Sequence, residues 1–259
     1  MTIFQAIILG VIEGVTEFLP VSSTGHLMLG AYLLGLPSST FLSSFEIIIQ
    51  LGAILSVILL YWRRFLLEKE TMLKVLVAFL PTAIIGFSLY KIIKSVFLTN
   101  NWLVVFSLFV GGAILILFEI WLSRQERIGE IAQVEQVTYK QSFLIGMCQS
   151  LAVVPGVSRS GATIVGGLAL KFKRELIVEF SFLLAVPTMI SATGYDILKN
   201  YQDFSLDNLT ALAVGFIISF FVALLAIKTF LAYVRNNNFI AFGIYRMVLA
   251  VIFALIFLV

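Results

Sequence analysis

Apolar residues fill long unbroken runs of this chain, and the polar positions fall into a few tight groups between them. Six runs, at about 44–62, 75–90, 102–122, 177–197, 209–231 and 241–259, approach the ~20 residues an α-helix needs to cross a bilayer. Two further apolar regions are broken. One runs from Ile3 to Leu19, bends at PVSSTG and resumes from Leu27 to Leu36. The other runs from Phe143 to Val154, bends at PGVSRSG and resumes from Ala162 to Leu170. At ~1.5 Å per residue the resuming limbs reach roughly 15 Å, half a hydrocarbon core. Each broken region is therefore expected to be a re-entrant helix pair, entering and leaving by one face. Two short complete crossings would give the same parity, and limb length is what favours re-entrance. Pro20 and Pro155 supply the breaks, because proline lacks the next helical donor. Gly25 and Gly161 leave room for close backbone approach.

The two regions align at a constant offset of 136, which sets Ser22 against Ser158, Ser23 against Arg159, Thr24 against Ser160 and Gly25 against Gly161. Each is followed by three spans. The expected architecture is an all-α polytopic membrane protein forming one membrane domain over 1–259. It comprises one repeat at about 1–122, a cytoplasmic linker at about 123–140 and a second repeat at about 141–259. On this reading Arg63, Arg64, Lys69, Lys74, Arg124, Arg127, Lys140, Lys171, Lys173, Arg174, Lys228 and Arg235 share one side, and Lys91, Lys94 and Lys199 the other. The positive-inside rule assigns the first set to the cytoplasm and both termini to the outside. The repeats are then inverted, and their bends should meet near the midplane beside a wet cavity, where non-helical backbone is tolerated.

Composition agrees. Hydrophobic residues make up 61% and charged residues 12%, against about 25% charged in soluble domains; mean hydropathy is +1.08. Soluble catalysis is excluded, and a net charge of +3 held in short loops gives no nucleic-acid surface. The single cysteine, Cys148, bars an internal disulfide and is expected to be a small buried hydrophobe. MTIFQAIILG has no basic leader or cleavage pattern and is read as part of the mature fold.

The chemistry is concentrated in the bends. Glu13 and Glu17, spaced i, i+4, share a helix face. Two carboxylates in an apolar setting need a cation or a shared proton. A divalent metal such as Mg²⁺ or Ca²⁺ is one solution, and Arg159 from the facing bend is another; a hydrated pair at a membrane edge is the plainer reading. SSTGH and SRSGAT each put hydroxyls, a glycine and backbone N–H groups at a helix start, a setting that favours anions. Each alone reads as an ordinary N-cap. Facing each other with one arginine, they make a cradle for a diphosphate. His26, the sole histidine, is a candidate for proton transfer, although a lone membrane histidine is more often a structural hydrogen-bonder. Ser23 is a candidate nucleophile if Glu17 or His26 takes its proton; a metal-activated water is the alternative. Elsewhere, Arg246 is expected to snorkel to the cytoplasmic edge. Glu46, Glu119, Glu179 and Asp196 are expected to be hydrated at span ends, and Pro81-Thr82 and Pro187-Thr188 to mark kinks.

EGVTEFLPVSSTGH and PGVSRSGATI closely resemble the two signature motifs of the bacterial undecaprenyl-diphosphate phosphatase family, the bacitracin-resistance type. The resemblance covers the whole chain in length, span order and motif placement. It implies hydrolysis of undecaprenyl diphosphate to undecaprenyl phosphate and inorganic phosphate in the bacterial plasma membrane. That reaction recycles the carrier for cell-wall synthesis and confers bacitracin resistance. It further implies a divalent cation at Glu13 and Glu17, catalytic roles for Glu17, Ser23, His26 and Arg159, and a site opening outward. Substrate contacts are expected at Ser22, Thr24, Gly25, Ser158, Ser160 and Gly161. A homodimer is an oligomer that a multi-span chain of this size admits. The rival reading is a lipid-phosphate transporter, because inverted repeats with broken helices are a transporter signature. A second membrane lipid phosphatase family also carries SGH and SR elements, but it needs a later histidine, and none follows His26.

Overall fold

A computed structural model describes residues 1–92, 100–124, 131, 133, 136–200 and 209–258. Lys94 and Arg127, used in the loop-charge argument, lie outside them, as do the side chains of Lys91 and Asp196. Among the described residues, ten α-helices run in two sets of the same order. The first set is α1 Ile3–Thr16, α2 Ser23–Leu33, α3 Thr40–Leu67, α4 Lys69–Ile92 and α5 Asn101–Leu122. The second is α6 Tyr139–Ser150, α7 Arg159–Ala169, α8 Arg174–Asn200, α9 Leu209–Val234 and α10 Ile240–Leu258. Among the described residues the only extended pairing is an isolated bridge between Ile131 and Phe172. The six long helices are apolar and long enough to cross a membrane, as the sequence predicted. Large side chains such as Phe87, Phe106 and Phe221 stand exposed on them, the surface a chain solvated by lipid presents.

The helix breaks come a turn earlier than the prolines themselves. α1 ends at Thr16 and α6 at Ser150, followed by a 3₁₀ turn over Leu151–Val153. A proline ring clashes with the carbonyl four residues back, which is Thr16 for Pro20 and Leu151 for Pro155. Both chains then reverse. The Gln5 amide donates to the Leu34 carbonyl at 3.1 Å, so α2 returns to the level at which α1 began. α2 and α7 have 11 residues each.

The packing sets the depth of the bends. α1 lies on α9, with Gly14 against the Ser219 carbonyl, Val222 and Ala223 at the middle of that span. α6 lies on α4 in the same way, with Gly146 against Ala78; a Cβ at Gly146 would stand 2.0 Å from the Ala78 oxygen. The partner exchange is reciprocal: α1 of the first set pairs with α9 of the second, and α6 of the second with α4 of the first. α3 meets α8 and α5 meets α10 across the same centre. Both bends are thereby held at mid-height of the long helices. Phe18 of the first bend and Phe182 of α8 are fully buried, their rings 5.2 Å apart.

Candidate active site

The bends touch. Arg159, the first residue of α7, reaches the first bend, and its NH2 donates to Glu17 Oε1 at 2.9 Å. Its NH1 donates to the Ser181 carbonyl on α8 at 2.9 Å, and its guanidinium lies over the buried Phe18 ring at 6.0 Å. The other carboxylate oxygen of Glu17, Oε2, accepts from the Ser23 hydroxyl at 2.7 Å. A continuous chain therefore runs from Ser23 through Glu17 to Arg159: a hydroxyl, a carboxylate that accepts from it, and a cation that fixes the carboxylate. Glu17 is 7% exposed, whereas Ser23, Thr24 and His26 are only part-buried. The hydroxyl end of the chain is the end a substrate can reach.

The two serines that align at the bend share an unusual backbone. Ser22 has φ 70° and Ser158 has φ 36°, a left-handed region that non-glycine residues enter at a cost and mostly at functional sites. Their side chains then diverge. Ser158 caps α7, accepting from the Gly161 N–H at 3.1 Å, and stands 3.1 Å from the Ser160 hydroxyl. Ser160 in turn donates to the Leu19 carbonyl at 2.7 Å. These hydroxyls are committed to tying the second bend to the first. Ser22 makes no side-chain cap on α2, which leaves the leading N–H groups of that helix without the partner a cap would supply. That helix start, with Thr24 and Gly25 in its first turn, is the anion-favouring end of the site.

His26 does not join the Ser23–Glu17–Arg159 chain. Its Nδ1 lies 2.8 Å from the Ser22 carbonyl and its Nε2 2.7 Å from the Tyr245 hydroxyl. A carbonyl can only accept, so Nδ1 carries a proton, and in the neutral ring Nε2 accepts from tyrosine. The two rings lie nearly parallel, with an interplanar angle of 9°. Glu17, not His26, is the group in reach of the Ser23 proton, while His26 braces the strained Ser22. Tyr245 carried no signal in the sequence beyond being one tyrosine in an apolar span.

Glu13 is fully buried, and no hydrogen-bond partner meets either of its carboxylate oxygens among the described residues. It lies within electrostatic reach of Glu17, Glu46 and Arg159. At the aligned position of the other repeat stands Gln149, also fully buried. Its amide donates to Thr82 at 2.9 Å and Thr188 at 3.2 Å, and its oxygen accepts from Thr163 at 3.4 Å. The threonines expected only to mark proline kinks thus satisfy an amide in one repeat. The other repeat keeps an unsatisfied carboxylate in the matching place. A buried carboxylate with two free oxygens fits a hard divalent cation, which takes such oxygens and retains further positions for water or phosphate. No cluster of three or more His, Cys, Asp or Glu side chains occurs among the described residues, so any such ion would depend on few protein ligands.

Two expectations for the remaining polar residues need correction. Arg246 does not snorkel: it is 3% exposed and turned inward between the bends. Glu119 is not hydrated but 2% exposed; it takes both guanidinium nitrogens of Arg174 and accepts the Phe239 N–H at 3.1 Å. Glu179 does stay partly exposed, its side chain 27%, and also pairs with Arg64 at 3.0 Å. In each case the sequence showed a charge near a span end, and the structure supplied a partner from a distant helix.

The fold and site define a polytopic helical membrane protein whose two broken helix pairs join a hydroxyl, a carboxylate and an arginine at the centre of the molecule. The family model for bacitracin resistance protein BacA matches residues 6–252, and the chain belongs to that family. It is 51% identical over 255 residues to a protein of Sulfurihydrogenibium sp. (strain YO3AOP1), covering 98% of this chain and 99% of that one. It is 49% identical over 253 residues to one from Wolinella succinogenes, with 98% and 97% covered. Against one from Aquifex aeolicus it is 45% identical over 258 residues, covering both chains completely. All three relatives are named undecaprenyl-diphosphatase.

Proposed function

We propose that this protein is an integral membrane phosphatase that hydrolyses undecaprenyl diphosphate to undecaprenyl phosphate and inorganic phosphate. The observation that carries the reading is the Ser23–Glu17–Arg159 chain across the two bends, in a family whose relatives bear the name of that activity. Carrier recycling for cell-wall synthesis and bacitracin resistance follow from the same reaction.

The geometry supports Ser23 as nucleophile. Its oxygen attacks the terminal phosphorus as its proton passes to Glu17 Oε2. The phosphoanhydride bond breaks, and undecaprenyl phosphate leaves as an anion that needs no proton. Glu17 then gives that proton up to solvent, water attacks the phosphoserine, and Glu17 takes the proton of the water and passes it to the leaving serine oxygen. The serine hydroxyl is restored and inorganic phosphate departs. Arg159 keeps Glu17 oriented throughout and brings positive charge to the transferring group. The open N–H groups at the start of α2, with Thr24 and Gly25, would receive phosphate oxygens. Gly161 lets α7 start close against the same centre. Glu13, with Glu17 beside it, would hold a Mg²⁺ or Ca²⁺ ion, which would neutralise diphosphate charge as a Lewis acid.

The substrate tail is a long polyprenyl chain and requires the bilayer. The basic set of loops faces the cytoplasm of a bacterial plasma membrane, and the site opens to the outer face. Lys69, at the turn between α3 and α4, and Lys199, at the end of α8, test the orientation as single cysteine replacements. A membrane-impermeant thiol reagent applied from outside should label the second and spare the first; the reverse result inverts the topology.

Phosphate release from undecaprenyl diphosphate by purified protein in detergent tests the activity. With Mg²⁺ or Ca²⁺ present, wild type should release phosphate, and folded Arg159→Ala should not. Folded wild type that releases none with metal restored would favour lipid-phosphate transport through the same centre.

A further inference from the structure

Arg246 sits where neither the bends nor the motifs announce it. It rises from α10, packed on α5, and passes over Gly111, where a Cβ would stand 2.1 Å from its NH2. Its NH2 donates to the Gly156 carbonyl of the second bend at 2.8 Å and to the Ser107 carbonyl of α5 at 3.2 Å. Its NH1 donates to the Pro20 carbonyl of the first bend at 3.4 Å. One guanidinium thus joins both bends to the helix between them. Non-helical backbone leaves carbonyls without helical donors, and Arg246 supplies those donors at the two positions where the chain reverses.

The charge has no counter-ion. Arg159 is neutralised by Glu17 and Arg174 by Glu119, but no carboxylate pairs with Arg246 among the described residues. Its Nε is buried and has no hydrogen-bond partner among the described residues. A buried cation held only by neutral carbonyls is costly unless an anion completes it. Its NH1 lies 3.5 Å from where a Cβ of Gly161 would stand, at the start of α7. On its other side it lies within electrostatic reach of His26, in the first turn of α2. It therefore lies close to both helix starts of the cradle.

We propose that Arg246 is a substrate-positioning residue: it clamps the two bends at one spacing and supplies the uncompensated positive charge that draws a diphosphate head group to the helix starts. This rests on the phosphatase reading for its substrate, but the anion site can be tested without turnover, using inorganic pyrophosphate as the probe.

Three variants separate the roles. Arg246→Gln removes the charge, Arg246→Lys keeps it without the fork, and Gly111→Ala pushes the guanidinium off its acceptors while leaving every charged residue in place. Pyrophosphate Kd and the KM and kcat for the lipid diphosphate are measured on detergent-purified protein whose melting and elution match wild type. Arg246→Gln should raise both Kd and KM by about tenfold or more, the scale of one charge-assisted hydrogen bond. Arg246→Lys should recover most of the Kd. Gly111→Ala should raise Kd in the same direction and serves alone if the arginine variants do not fold. Wild type that binds no pyrophosphate overturns the proposal, as does a folded Arg246→Gln or Gly111→Ala with unchanged Kd. Wild type that binds pyrophosphate through Arg246 but releases no phosphate would support the anion site and sink the phosphatase reading instead.

Discussion

Glu17 and Arg159 stand 142 residues apart in the chain and meet at 2.9 Å in the centre of the molecule, with side chains only 5% and 11% exposed. The pair does two things. It joins the repeats at the bends, and it holds the carboxylate that accepts the hydrogen bond of the Ser23 hydroxyl. Removing one partner of a buried pair leaves an uncompensated charge, which costs about 3–5 kcal/mol. Arg159→Ala should therefore both abolish phosphate release and lower thermal stability. The double variant Glu17→Ala with Arg159→Ala should recover stability and remain inactive. Melting in detergent beside phosphate release checks this; a double variant no more stable than Arg159→Ala would show that the ion pair is not what couples the bends.

Neighbouring serines should respond in opposite ways. Ser23→Ala removes the proposed nucleophile at a part-buried position and should lower kcat by about a thousandfold or more, with melting unchanged. Ser22 holds φ 70°, so Ser22→Gly should be tolerated or stabilising, whereas the β-branched Ser22→Val should cost about 1–3 kcal/mol. Kinetics and melting of the three variants decide it. A Ser23→Ala enzyme with near-normal kcat would shift the attack to a water molecule.

The spans, the two bends and the residues at their centre were legible because each leaves a mark along the chain. A bilayer-length apolar run is a local pattern, and so is a proline followed by hydroxyls and glycine. Glu13, Glu17, Ser23 and Arg159 stood out because charge and hydroxyl groups are conspicuous among apolar neighbours. Arg246 and Tyr245 did not, because an arginine near a span end reads as an interfacial anchor until α5 and α10 are seen to pack through Gly111 and Gly112. His26 was visible, but its partners were not: its tyrosine is 219 residues away. The offset alignment paired Ser22 with Ser158, and the matching positive φ values show why both are turn residues. Nothing in the sequence told that Gln149 would be satisfied by threonines while Glu13 would not.

Glu119 and Arg174 make the second buried charge pair, away from the bends, with the Phe239 N–H on the same carboxylate. This cluster fastens α5, α8 and the start of α10. Arg174→Ala should destabilise by about 3 kcal/mol or more, yet the folded fraction should keep the wild-type KM. Arg159→Ala, by contrast, removes activity from the folded fraction as well. Measuring KM on protein recovered after size exclusion separates the two. A large rise in KM for folded Arg174→Ala would mean that the pair is coupled to the site through α10.

Glu13 gives a prediction whose two halves have opposite signs. Without metal, its carboxylate is a buried group with two free acceptors, an arrangement that costs stability. Glu13→Gln removes that charge and should raise the melting temperature of protein stripped with EDTA. With metal, the sign reverses. Mg²⁺ or Ca²⁺ should raise the melting temperature of wild type by mass action on the folded state. The same ion should do little for Glu13→Gln, and its half-saturating concentration for phosphate release should rise by about tenfold or more, since ligand charge sets affinity at such sites. EDTA should abolish wild-type phosphate release, and added metal should restore it. Equal stabilisation of both proteins by metal would place the ion elsewhere and leave Glu13 as a proton-sharing partner of Glu17.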